Sequence, residues 1–99
     1  MNSACPSDLR LCRADYHNPV HAAALVQLLD AYAQDPAGGG EALSDFAKAN
    51  LAKALAARPQ AFSVLAFVGD QPVGLINCIE GFSTFACRPL VNVHDVAVL

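Results

Sequence analysis

Apolar and polar residues alternate over Leu9-Arg10-Leu11-Cys12-Arg13-Ala14, the pattern of a short strand with one wet face. The period then changes. Val20, Ala24, Leu25, Leu28, Leu29 and Tyr32 recur at helical spacing, and Asn18-Pro19 before them offers a cap and a residue suited to a first turn. A helix from Pro19 to about Tyr32 or Ala33 is predicted. Asp35-Pro36-Ala37-Gly38-Gly39-Gly40 breaks the pattern, and residues 36–40 are expected to form a mobile loop. A glycine run can also cradle phosphate, but that arrangement has a strand before the glycines and a helix opening on them. Here a helix precedes them. A second helix is placed from Glu41 or Ser44 to Ala57, with Leu43, Phe46, Ala47, Leu51, Ala54 and Leu55 as its buried stripe and Arg58-Pro59 as its stop.

The carboxy-terminal part reads as strands. Phe62 to Val68 is a run expected to be buried on both faces, Gly69-Asp70-Gln71-Pro72 a turn, and Val73 to Phe82 its hairpin partner. Ser83 to Pro89 is a loop or the start of one more strand, and Val91 to Leu99 is the most strand-like stretch of all. The order β-α-α-β-β-β with short links implies an α+β (mixed α/β) domain, two helices packed on a mainly antiparallel sheet. A single domain is expected over residues 1–99, with 1–8 as a disordered or extended leader.

Composition narrows the function classes. The chain is 55% hydrophobic and 15% charged, so it folds, although alanine supplies much of the apolar content and thins the core. A net charge of −3 with no basic run argues against nucleic acid or an anionic membrane as partner. Met1 to Pro6 lacks the features of a signal peptide, and no stretch approaches the roughly 18 apolar residues of a membrane-spanning helix. Cys5, Cys12, Cys78 and Cys87 form no Cys-x-x-Cys pair, and His17, His21 and His94 do not fall into finger-like spacing. No metal is expected, and the cysteines read as reduced thiols of a cytoplasmic protein.

Two stretches give the ordered set a family likeness. The hairpin "SVLAFVGDQPVGLINCIE" pairs an apolar strand with a tight turn and a Val-Gly step, and "VNVHDVAVL" closes the chain with a Val-x-Val segment. With the preceding strand and two helices, the chain resembles the amino-terminal half of the GCN5-related N-acetyltransferase (GNAT) family. That resemblance covers residues 9–99. It implies acetyl-coenzyme A as co-substrate and an amine of a small molecule or peptide as acceptor. It implies that the last strand is splayed, so that main-chain groups of Val96, Ala97 and Val98 pair with the pantetheine arm like an added strand. The family's Arg/Gln-x-x-Gly-x-Gly/Ala loop, whose amides grip the pyrophosphate at a helix N-terminus, has no counterpart before Leu99. The expectation is therefore a truncated half, inactive alone.

The residues that would carry chemistry are few. His94 and Asp95 sit side by side on the last strand, and alternation sends them to opposite faces. An aspartate there would hold a cationic amine, and a histidine would relay a proton. Either can equally be a polar residue on an exposed strand face. Glu80 is the only charge between Val73 and Cys87, and a lone carboxylate in an apolar strand faces water or serves a site. Tyr32, beside the glycine loop, and Phe82 are substrate-binding candidates, as is Phe85; all three suit a core as well. Cys78 and Cys87 sit beside no histidine and at no helix start, so neither is read as a nucleophile. The alternative function is a non-catalytic α+β module that homodimerises through its exposed terminal strand.

Overall fold

A computed structural model describes residues 8–99. It contains β1 (Leu9–Arg13), α1 (Pro19–Gln34), α2 (Asp45–Ala56), β2 (Ala61–Val68), β3 (Gln71–Ser83) and β4 (Arg88–Val98). The four strands form one sheet in the order β1-β2-β3-β4, every neighbouring pair antiparallel. The α+β class and the order of elements are as the sequence predicts. The leader lies almost wholly outside the described residues.

Local chemistry places the elements. The Asn18 side chain accepts from the amides of Val20 (2.8 Å) and His21 (3.3 Å), with Pro19 at the first position of α1. Ser44 caps α2 by accepting from the Ala47 amide at 3.1 Å. The β2–β3 connection is the two-residue loop Gly69-Asp70, in which Gly69 alone takes a positive φ, 59°, as a type II′ turn demands of its first residue. Pro72 is thus inside β3, next to a bulge where the register slips past Val73. The segment read as a plain glycine loop folds back on α1 instead. Asp35 caps a single 3-10 turn, Pro36–Gly38, and the Glu41 amide reaches the Ala33 carbonyl at 3.1 Å. Asp30 on α1 ties the approach to α2, accepting from the Leu43 amide at 2.8 Å and pairing with Lys48 at 3.6 Å.

Both helices lie on one face of the sheet, and the core sits between. Leu25 and Leu28 of α1 are fully buried against Leu65, Phe67, Leu75 and Ala97, with Leu51 and Leu55 of α2 at the margin. The opposite face carries Leu11, Val64, Ala66, Ile76, Val96 and Val98 around a shallow apolar groove, with no helix residue among its walls. This corrects three expectations. β2 is not buried on both faces; Ala61, Ser63, Leu65 and Phe67 are buried and the alternate residues only half so. β1 does not bury its apolar side: Arg10 stacks on the Phe67 ring at 4.8 Å and stays exposed at the margin of the covered face, while Leu11 is exposed on the bare one. Helix rows that were expected to be buried are not: Val20 at the rim of α1, and Phe46 and Ala54 on an outward row beside the docked Leu51–Leu55 row of α2, are exposed. The radius of gyration, 14.7 Å, exceeds the roughly 13 Å of a closed globule of this length, as a sheet covered on one side should. No helix among the described residues is long and apolar enough to cross a membrane.

Gly38 is held by close approach, since a methyl built on it would overlap the Tyr32 carbonyl oxygen at the end of α1. That carbonyl is helix backbone and has no room to give. Gly38→Ala is therefore expected to destabilise by about 1–3 kcal/mol, lowering the melting temperature by roughly 4–8 °C per kcal/mol. An unchanged melting curve would show that the turn does not pack as described.

Candidate functional site

A row of polar side chains crosses the covered face of the sheet beside the core. Ser63 stands in the middle of β2 and is fully buried, and Asn77 stands opposite it in β3, 7% exposed. The Ser63 hydroxyl donates to Asn77 Oδ1 at 2.6 Å. At one end the Tyr16 hydroxyl lies 2.7 Å from Ser63 Oγ, brought there by the segment between β1 and the Asn18 cap. At the other end Asn77 Nδ2 donates to Asp95 Oδ2 at 3.2 Å. Four residues from four separate segments are thus joined, and the row ends on a carboxylate that is half-buried at the last strand.

Asp95 sits beside an irregularity. The β3–β4 register runs Asn77 with Asp95 and then Cys78 with Val93, so His94 is the extra residue of a bulge and has no cross-strand partner. The simple alternation expected of His94 and Asp95 fails at that point. Asp95 keeps the face of Ala97 and Asn77, because it pairs directly with Asn77, and His94 is exposed.

β4 is also the edge of the sheet. The Leu99 amide donates to the Val73 carbonyl at 2.9 Å. In an antiparallel ladder the residues that face the partner alternate, so Ala97 and Asp95 likewise turn their main-chain groups to β3. Val96 and Val98 turn theirs outward, to the free edge. Of the three residues expected to offer main-chain groups, Ala97 is instead committed to the sheet.

Tyr32 lies near the same end of β4. It is half-buried, and with Leu28, Asp35, Ala97 and Val98 it lines a cavity of about 110 Å³. Glu80 and Phe82 do not join it. They pair with Val91 and Pro89, and Phe82 lies about 25 Å along the strands from the Ala97 end. Both are exposed, as is Phe85 in the turn that follows β3. Cys78 is buried within β3, and Cys87 occupies that turn with a φ of 54°. Cys12 is the cysteine that meets a histidine, Sγ to His21 Nε2 at 3.9 Å, but His21 Nδ1 accepts from the Asp15 amide at 2.9 Å. The neutral ring therefore carries its proton on Nε2 and has no lone pair for the thiol's proton. Among the described residues no three His, Cys, Asp or Glu side chains gather to hold a metal ion.

Of the four residues in this row, sequence reasoning names Asp95 as a candidate and does not name Tyr16, Ser63 or Asn77. The signal was present: Ser63 and Asn77 interrupt two apolar strands, and a polar side chain buried in a strand needs a partner. The residues that stand opposite one another only become known with the register.

No protein-family model and no curated protein sequence matches the chain. Solved structures do. The aminoglycoside acetyltransferase meta-AAC0020 from an uncultured soil metagenomic sample, solved with trehalose and with sisomicin, superimposes with a TM-score of 0.68 at 19% identity, over 92% of this chain and 56% of that one. The aminoglycoside acetyltransferase HMB0005, also from an uncultured soil metagenomic sample, gives 0.62 at 16%, over 91% of this chain and 57% of that one. The chain thus has the fold of a little more than half of these acetyltransferases.

The row predicts a coupled stability effect. Ser63→Ala leaves the buried Asn77 carbonyl unpaired and is expected to cost about 1–3 kcal/mol, read from the urea midpoint at unchanged slope. Adding Asn77→Leu should recover part of that loss. Additive losses in the double variant would show that the two side chains are not paired.

Proposed function

We propose that this chain carries the amino-terminal part of an N-acetyltransferase that moves an acetyl group from acetyl-coenzyme A to an amine of a small molecule or peptide. One observation carries the reading. The free edge of β4, with outward N–H and C=O groups at Val96 and Val98, begins directly after a bulge and a half-buried carboxylate. The likeness to acetyltransferase structures supports it.

The residues fit the pantetheine portion of the coenzyme. Its amides match an outward-facing strand edge, and the outward groups of Val96 and Val98 would hold it as an added strand. Acetyl-coenzyme A, when bound, supplies the thioester. The chain's own residues then have two tasks. Asp95 attracts a protonated amine and holds it beside the β4 edge. His94, exposed at the bulge, takes the proton that the amine must lose before its nitrogen can attack. Sisomicin, the amine bound in one of the similar structures, is the probe to use for the acceptor.

The same edge favours a second reading. β4 is 11 residues long and exposes Val91, Val93, Val96 and Val98, and such an edge accepts a further strand. A second copy pairing along β4 would make the chain an association module.

Titration of the 15N-labelled chain with coenzyme A separates the two. Weak binding, with a Kd of about 1 mM, is expected to move the amides of Val96 and Val98 and to spare Ala97, which is tied to β3. If the β4 amides do not respond while sedimentation shows a dimer, the acetyltransferase reading fails and the association module stands.

A further inference from the structure

We infer that Tyr16, Ser63 and Asn77 are positioning residues, whose hydrogen-bonded row fixes the Asp95 carboxylate with its second oxygen turned out as the seat of a protonated amine. The inference deepens the acetyltransferase reading and rests on it for the identity of that amine.

The direction of the row follows from donor and acceptor inventory. A carboxylate only accepts, so Asn77 must turn Nδ2 toward Asp95, as it does at 3.2 Å. Asn77 then presents Oδ1 to Ser63, and a carbonyl oxygen also only accepts. Ser63 must spend its one proton on that bond, at 2.6 Å. The oxygen of Ser63 is left with lone pairs, so the Tyr16 hydroxyl is the donor across 2.7 Å. Every dipole in the row thus points its positive end toward Asp95. Ser63 is fully buried and Asn77 nearly so, where low dielectric strengthens aligned bonds and makes a misaligned one costly. Because Asn77 is held from both sides, its amide plane is fixed, and that plane dictates where Asp95 Oδ2 must lie. Asp95 Oδ1 has no hydrogen-bond partner among the described residues.

The same chemistry rules out a different role. A proton wire needs groups that accept a proton at one atom and release one from another. The Asn77 amide does neither without changing tautomer, so the row cannot carry the acceptor's proton inward. It orients a charge, and the proton leaves by the exposed side of β4.

The test reads orientation and binding together in the whole chain. Three-bond couplings to the Asp95 carboxyl carbon are expected to report a single χ1 rotamer, and sisomicin should shift that carbon. Asn77→Leu keeps a side chain of similar volume and removes the bond. It should average the rotamer and weaken sisomicin about tenfold. Tyr16→Phe removes one hydroxyl separated from Asp95 by two residues of the row, touches neither Asp95 nor the ligand, and should weaken it about threefold at an unchanged fold. A rotamer that stays fixed in both variants, or equal sisomicin binding in both and in the parent, overturns the inference. So does a parent chain in which sisomicin leaves Asp95 unmoved. The coenzyme titration keeps the two failures apart. A β4 response to coenzyme A without an Asp95 response to sisomicin sinks this inference alone, and the reverse sinks the acetyltransferase reading alone.

Discussion

Helix α1 is the constraint on which the rest depends. It crosses the sheet over β2, β3 and β4, and Leu25 and Leu28 fill the space above Leu65, Leu75 and Ala97. Each fully buried leucine contributes about 1.5–3 kcal/mol, and among the described residues no second core lies under the other face to share that task. The entry into α1 also places the site. The chain must turn from β1 into the Asn18 cap, and that turn puts Tyr16 against Ser63. The exit matters as well, because the Tyr32 carbonyl and the Asp35 cap fold the following turn back toward the end of β4. Asp95 is therefore positioned from both ends of one helix, through the polar row and through the packing of Ala97.

Much of this was legible in the sequence, for local reasons. Asn18-Pro19 and Arg58-Pro59 act within a few residues of themselves, and they set helix boundaries that the structure keeps, while the turn read over Gly69-Asp70-Gln71-Pro72 tightens to its first two residues. What was not legible depends on partners far away in the chain. Phe46 and Ala54 fit an apolar helical row as well as Leu51 and Leu55 do, and only the docking of α2 on α1 decides which row is covered. Leu11 looks like the buried side of β1 until the sheet turns out to be covered on the other face. The bulge at His94 is invisible to period-two reasoning, because an inserted residue resets the alternation without leaving a mark in composition. Pro89 closes the stretch read as a loop or the start of one more strand, and it lies within β4, where an edge position leaves no hydrogen bond for it to spoil.

The bare face sets this sheet apart from a stable two-layer domain. Antiparallel sheets that face water on one side carry polar residues there, whereas this one presents Leu11, Val64, Ile76, Val96 and Val98. A contiguous apolar surface of that kind calls for cover. Under the acetyltransferase reading the cover has an obvious source, since more than four-tenths of each similar solved chain has no counterpart in these residues. It also gives the groove and the β4 edge different partners: the groove takes side chains from a packing layer, and the edge takes main-chain bonds. Val96 and Val98 serve both, their side chains in the groove and their backbones at the edge.

Two buried polar residues in an already thin core need a physical justification, and stability does not supply one. A well-made neutral hydrogen bond is worth only about 0.5–1.5 kcal/mol net, and apolar residues of matching shape in place of Ser63 and Asn77 would fill the same space. What apolar residues cannot do is point. Hydrophobic packing is indifferent to rotation about a bond, whereas a hydrogen bond fixes both distance and plane. A row that begins on one side of the sheet and ends on a carboxylate at the other converts the rigidity of three elements into the orientation of one side chain. Its position next to the bulge then matters, because the bulge breaks the ladder at His94, the residue beside Asp95. The row sets the Asp95 side chain where its neighbour has no cross-strand partner. A carboxylate that must meet a charged ligand at a set distance from the strand edge needs such a constraint, and a carboxylate that only faces water does not.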